Sequence, residues 1–227
     1  MIYNTETNST IQQTQQLEAY SYFPSTVYTA MRPDFLKETR EVFQDHYNKT
    51  KLNAKIDELY PMLQTDNMFH EEKIQKFTQF IADTSWEILR TQGFNMENKG
   101  TYFTEMWGHY YQKFGSMEKH IHGNNVQISG FYFLEVPPKS SKIVFHDPRA
   151  GKDQINMFEQ DVTQVSLASS MINFEPKEGL FIFTNSWLPH SITRHGSTKA
   201  LKMIHFNLGV MDIQSTNQCV VDGPEII

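Results

Sequence analysis

Hydrophobic positions recur at helical spacing in the first part of the chain and change to short β-rich runs after Gly100. From Pro33 onward the spacing predicts an amphipathic helix with proline in its first turn. A second helix is predicted between Glu71 and Gly93, because acidic residues suit a first turn and glycine suits the end of a helix. The repeating positions are Phe35, Leu36, Thr39, Val42, Phe43 and Tyr47 in the first helix, and Ile74, Phe77, Phe80, Ile81, Trp86, Ile88 and Leu89 in the second.

The β-rich runs are separated by clusters of Gly, Pro, Asn, Asp and Ser, which is typical of strands joined by turns. Helices followed by strands favour the α+β class, with an antiparallel sheet or barrel that carries helices on one side. The stretch 151–179 is the longest without a clear pattern, and we predict that it is a loop or a lid over a site. The runs read TYFTEMWGHYY, GFYFLEV, KIVFHD, GLFIFT and ALKMIHFNLGVM.

A chain of 227 residues is long enough for one domain with a sizeable core. We predict a single domain over 22–212, with a helical lead-in at about 33–95 and a barrel at about 101–212. Residues 1–21 are rich in Thr, Asn and Gln and are predicted to be a flexible tail, and 213–227 are predicted to be a C-terminal tail.

Charge and cysteine content exclude several classes of protein. A net charge of −6 without a Lys/Arg stripe disfavours nucleic-acid binding, and no apolar run is long enough to span a membrane. Cys219 is the single cysteine, which excludes an intramolecular disulfide and a cysteine-based zinc site. We therefore expect a cytoplasmic protein. The sequence does not determine the oligomeric state, and it does not exclude a homodimer.

Histidines provide the first candidate chemistry, since seven of the nine lie between positions 109 and 205. In an extended segment residues two apart point to the same side, so His120 and His122 would present both imidazoles together. His190 follows the strand LFIF and a proline-containing turn, and it is the best candidate for a third metal ligand. The alternative is ordinary packing, because His-x-His also occurs by chance. His109, His146 and His205 are predicted to be packing or pocket residues.

Four ordered blocks of the C-terminal half, together with an earlier segment, resemble the 2-oxoglutarate/Fe(II) oxygenase family of phage and bacterial proteins. The resemblance spans roughly residues 22–210, and if the chain is phage-encoded we expect it in the host cytoplasm. The blocks are HIHGN (120–124) with SGFY (129–132), FHDPR (145–149), GLFIF (179–183) with SWLPH (186–190), and FN (206–207), and the earlier segment is FPSTVY (23–28).

This resemblance implies a double-stranded β-helix (jelly-roll) barrel with an N-terminal helical layer. It also implies an enzyme that uses Fe(II) and 2-oxoglutarate to hydroxylate a substrate. The superfamily's metal site contains a His-x-Asp/Glu pair and a distal His. His120 stands at the first ligand, His122 at the usual carboxylate and His190 at the distal histidine. Asp147 could accept a hydrogen bond from a ligand imidazole, as the outer partners of metal sites do.

Two departures from the family pattern bear on the cofactors. Imidazole in place of the carboxylate at His122 removes a negative charge, so Zn(II), Ni(II) or Cu(II) would also suit the site. The basic residue that holds the far carboxylate of 2-oxoglutarate is replaced by Leu201. Either Lys199 or His205 could substitute, and Arg149 is the preferred candidate. Further candidate cosubstrate contacts are Tyr132, Asn125 and Asn207.

Two alternatives remain open at this point. One is a cupin-like dioxygenase with three histidines and no 2-oxoglutarate, for which Gly115 and Gln127 give a partial match. The other is a non-catalytic jelly-roll protein that acts as a binding or virion-associated module.

Overall fold

The computed structural model describes residues 22–54, 56–155 and 157–213. The two predicted tails, 1–21 and all but the first residue of 213–227, lie outside these ranges, as does Cys219. Among the described residues, no helix is both long and apolar enough to cross a membrane.

Both predicted helices are present and pack their apolar positions against a sheet. Helix α1 (Leu36–Lys51) follows a short 3-10 turn that begins at Pro33, and helix α2 (Gln75–Thr91) ends just before Gly93, whose φ is +93°. In α2 the ring of Phe77 lies 5.4 Å from that of Phe181 in the sheet. The helical periodicity of the sequence is thus confirmed.

The described residues form two antiparallel sheets. The larger sheet has the order β1-β8-β5-β10-β3-β2 and the smaller one the order β4-β9-β6-β7. The strands are β1 (Val27–Met31), β2 (Met62–Gln64), β3 (Lys99–Tyr111), β4 (Met117–His120), β5 (Ile128–Glu135), β6 (Ile143–His146), β7 (Met171–Phe174), β8 (Leu180–Asn185), β9 (His190–Ile192) and β10 (Leu201–Asp212).

From β3 onward the chain passes repeatedly from one sheet to the other, which is the connectivity of a jelly roll. Among the described strands from β3 to β10, β6 and β7 are the only consecutive ones that pair with each other, and before them β2 pairs with β3. The predicted double-stranded β-helix with an N-terminal helical layer is therefore confirmed.

Two apolar cores lie on opposite faces of the larger sheet. Along β5, Tyr132 and Leu134 face the helices, whereas Phe131 and Phe133 face the space between the sheets. Strand β10 divides in the same way: Ile204 and the other even-numbered positions pack toward the helices. The space between the sheets is thus lined by the odd-numbered side chains of β10, namely Leu201, Met203, His205 and Asn207.

The stretch 151–179 is less irregular than the sequence predicts. It begins in a 3-10 helix (Ala150–Gln154) and contains β7, whose residues pair with β6. The prediction of a continuous loop is wrong for these residues. The segment between them has many exposed apolar side chains, including Phe158 and Leu167.

Candidate metal centre

Three histidines from two sequence blocks meet at one end of the smaller sheet. His120 is the last residue of β4 and His190 the first of β9, and the two are direct antiparallel partners. His122 follows β4, and its backbone N–H donates to the carbonyl oxygen of Ser186 at 3.0 Å. One ring nitrogen from each histidine lies within 4.8 Å of the other two. The structure therefore brings together all three predicted metal ligands.

The spacing of these nitrogens fits a single ion. Nε2 of His122 lies 3.3 Å from Nε2 of His190. Two nitrogens that are each about 2.0–2.1 Å from one ion are about 2.8–3.4 Å apart at tetrahedral or octahedral angles. The third nitrogen belongs to His120, which is half-buried, and lies within 4.8 Å of the other two. The donor set thus suits a divalent transition metal.

Backbone carbonyls orient two of the rings for this purpose. Nδ1 of His190 lies 3.0 Å from the carbonyl oxygen of Leu188, and Nδ1 of His120 lies 2.7 Å from that of Glu118. Because a carbonyl oxygen only accepts, each Nδ1 donates a proton, and in the neutral imidazole Nε2 is then the nitrogen that has the lone pair. Both rings therefore present a free donor electron pair to the shared point.

Burial keeps two of the rings neutral. It lowers the pKa of His190 to about 3, and burial together with the charge of His120 lowers the pKa of His122 to about 4. A neutral imidazole is the form that binds a metal. Proton competition at these two residues is therefore weak at neutral pH.

A hydrogen-bonded amide supports His122 from within the barrel. Nδ2 of Asn207 lies 3.2 Å from Nδ1 of His122 and 2.9 Å from Oε2 of Glu105. The hydroxyl of Ser129 donates to Oδ1 of Asn207 at 2.7 Å. Asn207 is fully buried. It was predicted as a cosubstrate contact, and the structure places it against a predicted metal ligand.

Aromatic rings form the wall beside His122. The ring of His205 is 4.9 Å from that of His122 and stacks on Trp107 at 5.5 Å and on His109 at 5.7 Å. Nε1–H of Trp107 donates to Nε2 of His109 at 2.6 Å. Burial lowers the pKa of His109 to about 3 and lowers that of His205 well below its usual value. His205 was predicted to be a packing or pocket residue, and the structure places its ring against that of the predicted ligand His122.

Among the predicted cosubstrate contacts, Tyr132 faces away from the space between the sheets, and two others are exposed. Tyr132 lies on the helix-facing side of β5, where its ring packs on Phe181 and its hydroxyl donates to the carbonyl of Arg32. Lys199 and Asn125 are exposed. The position of Tyr132 corrects the expectation from the motif, because side chains alternate between the faces of a strand.

Asp147 and Arg149 form a separate ion-paired group. The guanidinium of Arg149 donates to Asp147 at 2.6 Å, and the ammonium of Lys152 lies 3.1 Å from the same carboxylate. The hydrogen bond from Arg149 lowers the pKa of Asp147. Asp147 contacts these two cations rather than a ligand imidazole. The structure therefore gives no support to the predicted role of Asp147 beside the metal.

This ion-paired group lines a cleft of about 670 Å³. Apolar side chains of both sheets form its floor, among them Val27, Phe145 and Leu188. Phe145 and Leu188 also contact His190, through a ring separation of 6.0 Å and through the carbonyl oxygen already described. The cleft thus approaches the histidine cluster from the side of His190.

Sequence patterns did not identify Glu105 or the pairing of Trp107 with His109. Glu105 is a charged residue within an otherwise uncharged run of β3, and it stands opposite Asn207 in the sheet. An acidic side chain in an inward-facing position is a usable signal, because buried carboxylates need partners. The strand register needed to apply that signal is not visible in the sequence.

The chain is similar in sequence to one known protein family. Residues 105–207 match the sequence family described as "Putative 2OG-Fe(II) oxygenase". Among curated proteins, none matches the chain significantly.

Several solved structures share the fold at low sequence identity. AviO1 from Streptomyces viridochromogenes Tue57 superposes with a TM-score of 0.54 at 9% identity, covering 82% of this chain and 90% of that chain. HygX from Streptomyces hygroscopicus, solved with nickel and 2-oxoglutarate, gives 0.53 at 9% identity, covering 82% and 83%. A prolyl hydroxylase from Trichoplax adhaerens gives 0.52 at 10% identity, covering 81% and 83%. These similarities confirm the fold.

Proposed function

We propose that this chain, which belongs through residues 105–207 to the 2OG-Fe(II) oxygenase family, binds a catalytic metal through three imidazoles. His120, His122 and His190 are the proposed ligands. The observation that supports this assignment is the convergence of their ring nitrogens within 4.8 Å. The proposed reaction is hydroxylation of a substrate C–H bond that depends on Fe(II) and 2-oxoglutarate.

Each part of the site has a proposed task. When bound, Fe(II) and 2-oxoglutarate supply the oxidation: one atom of O₂ enters the substrate C–H bond and the other enters succinate as CO₂ is released. The carbonyls of Leu188 and Glu118 hold two ligand rings in the required tautomer. Buried rings such as Phe131 exclude water from the space behind the metal.

Asn207 is proposed to hold the third ligand ring. Its amide can meet Nδ1 of His122 in either tautomer, through the NH₂ when that nitrogen is bare and through the oxygen when it carries the proton. Metal binding at Nε2 requires the proton on Nδ1, so the amide must then present its oxygen. Glu105 currently accepts from the NH₂, and it must adjust when the amide turns.

Three neutral ligands affect which metal is chosen. A carboxylate in place of His122 would add a negative charge and favour hard cations, whereas imidazole also suits Zn(II), Ni(II) and Cu(II). HygX, which has this fold, was solved with nickel and 2-oxoglutarate bound. Fe(II) is proposed here as the catalytic metal, and Zn(II) and Cu(II) are expected to inhibit by competition.

The cleft beside His190 is the proposed substrate entrance. The cleft has an apolar floor, and the two cations Arg149 and Lys152 share one carboxylate, Asp147, so that the group has a net positive charge. These features suit a ligand that is partly apolar and partly anionic. The exposed guanidinium of Arg149 is the proposed contact for the anionic part. Arg149 was predicted to hold the cosubstrate, and its place in the cleft supports a contact with substrate instead.

One observation favours a second candidate function. Leu201 and Met203 are fully buried where the family has a basic residue and a hydroxyl. A three-histidine dioxygenase that needs no 2-oxoglutarate would have no use for that basic residue. The two functions differ in whether O₂ consumption requires 2-oxoglutarate and produces succinate.

Reconstitution with Fe(II) without oxygen, followed by exposure to O₂ and 2-oxoglutarate, tests the proposal. The wild type should bind one iron per chain and form succinate slowly even without substrate, whereas His190→Ala should do neither. A matched control is His146→Ala, which removes an imidazole that bonds to Ser191 outside the cluster. Full iron binding with no succinate, but with O₂ uptake on addition of other small molecules, would favour the second candidate.

The remaining expectations are also proposals. The oxygenase family implies a small-molecule cosubstrate and a separate substrate. Cytoplasmic location, the lack of a nucleic-acid partner and the oligomeric state rest on the sequence alone. Light scattering of the purified chain distinguishes a monomer from a homodimer.

A further inference from the structure

The inward face of three neighbouring strands forms rows of side chains that lead away from the metal cluster. Strand β10 lies between β3 and β5, and residues two apart along it are about 6.6 Å apart. The rows are Glu105–Asn207–Ser129, then Trp107–His205–Phe131, then His109–Met203–Phe133. His122 contacts Asn207 in the first row and His205 in the second. A ligand that extends inward from the metal therefore meets His205 before the apolar Met203.

His205 has an unusual hydrogen-bonding state for a buried polar residue. It is 2% exposed, and neither Nδ1 nor Nε2 has a hydrogen-bond partner among residues 22–54, 56–155 and 157–213. The surrounding rings of Trp107, His109, His122 and Phe131 stack on it or meet it edge-on without satisfying either nitrogen. Buried polar atoms in native proteins are nearly always paired, so an unpaired imidazole beside a metal cluster indicates a ligand contact.

Cations do not compete with His205 for such a ligand. Among the described residues, no Lys or Arg side chain is buried. Lys202, the basic residue nearest along β10, points outward and pairs with Glu135 at 2.9 Å. The polar atoms of His109 already meet Trp107 and Tyr111. His205 is thus the group in the second and third rows that has free hydrogen-bonding capacity.

We propose that the imidazole N–H of His205 binds the carboxylate of the oxoacid cosubstrate that is remote from the metal. A single imidazole would then replace the basic residue that Leu201 lacks. This inference rests on the proposed function, because it requires an oxoacid bound at the metal. It makes His205 the residue that distinguishes a dicarboxylic oxoacid from a monocarboxylic one.

Binding measurements test this without turnover. The wild-type protein is loaded with Mn(II) without oxygen and titrated calorimetrically with 2-oxoglutarate, and then with 2-oxopentanoate, which has the same carbon chain without the second carboxylate. The variants are His205→Phe, which keeps a ring but no nitrogen, and His205→Gln, which keeps a donor. Met203→Leu is the matched control, because it changes an apolar neighbour on the same face of β10.

The wild type should bind 2-oxoglutarate more tightly than 2-oxopentanoate. His205→Phe should weaken 2-oxoglutarate binding by about tenfold or more, as expected for a lost hydrogen bond to a charged group, and leave 2-oxopentanoate unchanged. His205→Gln should recover part of the loss, and Met203→Leu should resemble the wild type. If His205→Phe does not fold, the His205→Gln and His205→Leu pair replaces it, with the same loss expected for Leu.

Other outcomes contradict the inference. Wild-type affinity for 2-oxoglutarate in His205→Phe overturns it, and so does an equal loss for both acids, which would place His205 at the part of the ligand that they share. Mn(II) binding without any oxoacid binding also overturns it and leaves the metal site intact. A wild-type protein that binds no Mn(II) or Fe(II) contradicts the proposed function itself.

Discussion

Asn207 contacts His122 across 85 residues of sequence, with Nδ2 of the amide 3.2 Å from Nδ1 of the imidazole. The same amide nitrogen reaches Glu105, so a carboxylate is connected to the metal cluster through one side chain. Outer partners of this kind fix the orientation and tautomer of a ligand ring. The carboxylate of Glu105 thus places a negative charge near a site whose proposed ligands are all imidazoles.

Replacement of Asn207 by alanine should weaken metal binding. Without the amide, the protonated Nδ1 of the metal-bound His122 has no acceptor and the ring is free to turn. Loss of an outer partner typically lowers metal affinity by about 10–100-fold. Competition titration with a coloured chelator measures this loss. Asn67→Ala is the control, because the Asn67 amide oxygen accepts from the backbone of Met106 away from the cluster. Equal metal affinity in Asn207→Ala and the wild type would show that Asn207 does not support metal binding.

His122→Asp should change the preference among metals. The substitution restores a carboxylate and a negative charge, and carboxylates favour hard cations. Affinity for Mn(II) relative to Zn(II) should rise by an amount on the order of tenfold. Parallel titrations of both metals measure the ratio, with His146→Asp as a control outside the cluster. An unchanged ratio would show that His122 is not a ligand.

His205→Phe should stabilise the metal-free protein. The substitution keeps a ring stacked on Trp107 and His109 but removes two buried nitrogens that have no hydrogen-bond partner in the part of the chain that the structure describes. Leaving a buried polar group unpaired costs about 1–3 kcal/mol, so the free energy of unfolding in urea should rise by about 1 kcal/mol. A clear decrease would mean that the imidazole makes stabilising contacts in the free protein.

Stability of the metal-free protein should fall as the pH drops from about 6.5 toward 4. Burial lowers the pKa of His109 and of His190 to about 3. Between that value and the unfolded pKa the unfolded chain binds more protons than the folded one, so stability rises with pH. Each such histidine contributes a slope of about 1.4 kcal/mol per pH unit in this window.

Urea unfolding at pH 7 and pH 5 measures this dependence. His205→Phe should lose less stability than the wild type over the same interval, because burial also lowers the pKa of His205 in the wild type. His109 and His122 face His205, and their own lowered pKa values remain in the variant. A wild-type protein whose stability is equal at both pH values would contradict the neutral, buried state of these rings.

How far the sequence predicts this structure depends on the length of each element. Both helices and the four strands of six or more residues, β3, β5, β8 and β10, have enough residues for their pattern to be visible. Strands β4 and β9 have four and three residues, so no repeat reveals them, although their pairing sets His120 beside His190. The three ligands were predicted from motif order, from the side-chain alternation of an extended segment and from the position of His190 after the LFIF strand, without knowledge of this pairing.

Errors in the predicted site have physical causes. Strand β5 is buried on both faces, so its hydrophobic pattern does not reveal which face carries Tyr132. Contacts between Glu105 and Asn207 depend on strand register across 102 residues. Arg149 stands two residues from Asp147, and this local ion pair holds it away from the cluster. Each of these features is fixed by tertiary packing rather than by local sequence.

Metal content of the purified protein tests the central claim most directly. Mass spectrometry of the elements, after loading with Fe(II) without oxygen and removal of free metal, gives the number of ions per chain. We expect one ion in the wild type and in His146→Ala, and less than one tenth of that in the variant with His120, His122 and His190 all changed to alanine. Equal iron content in the triple variant and the wild type would contradict the claim that these three imidazoles hold the metal.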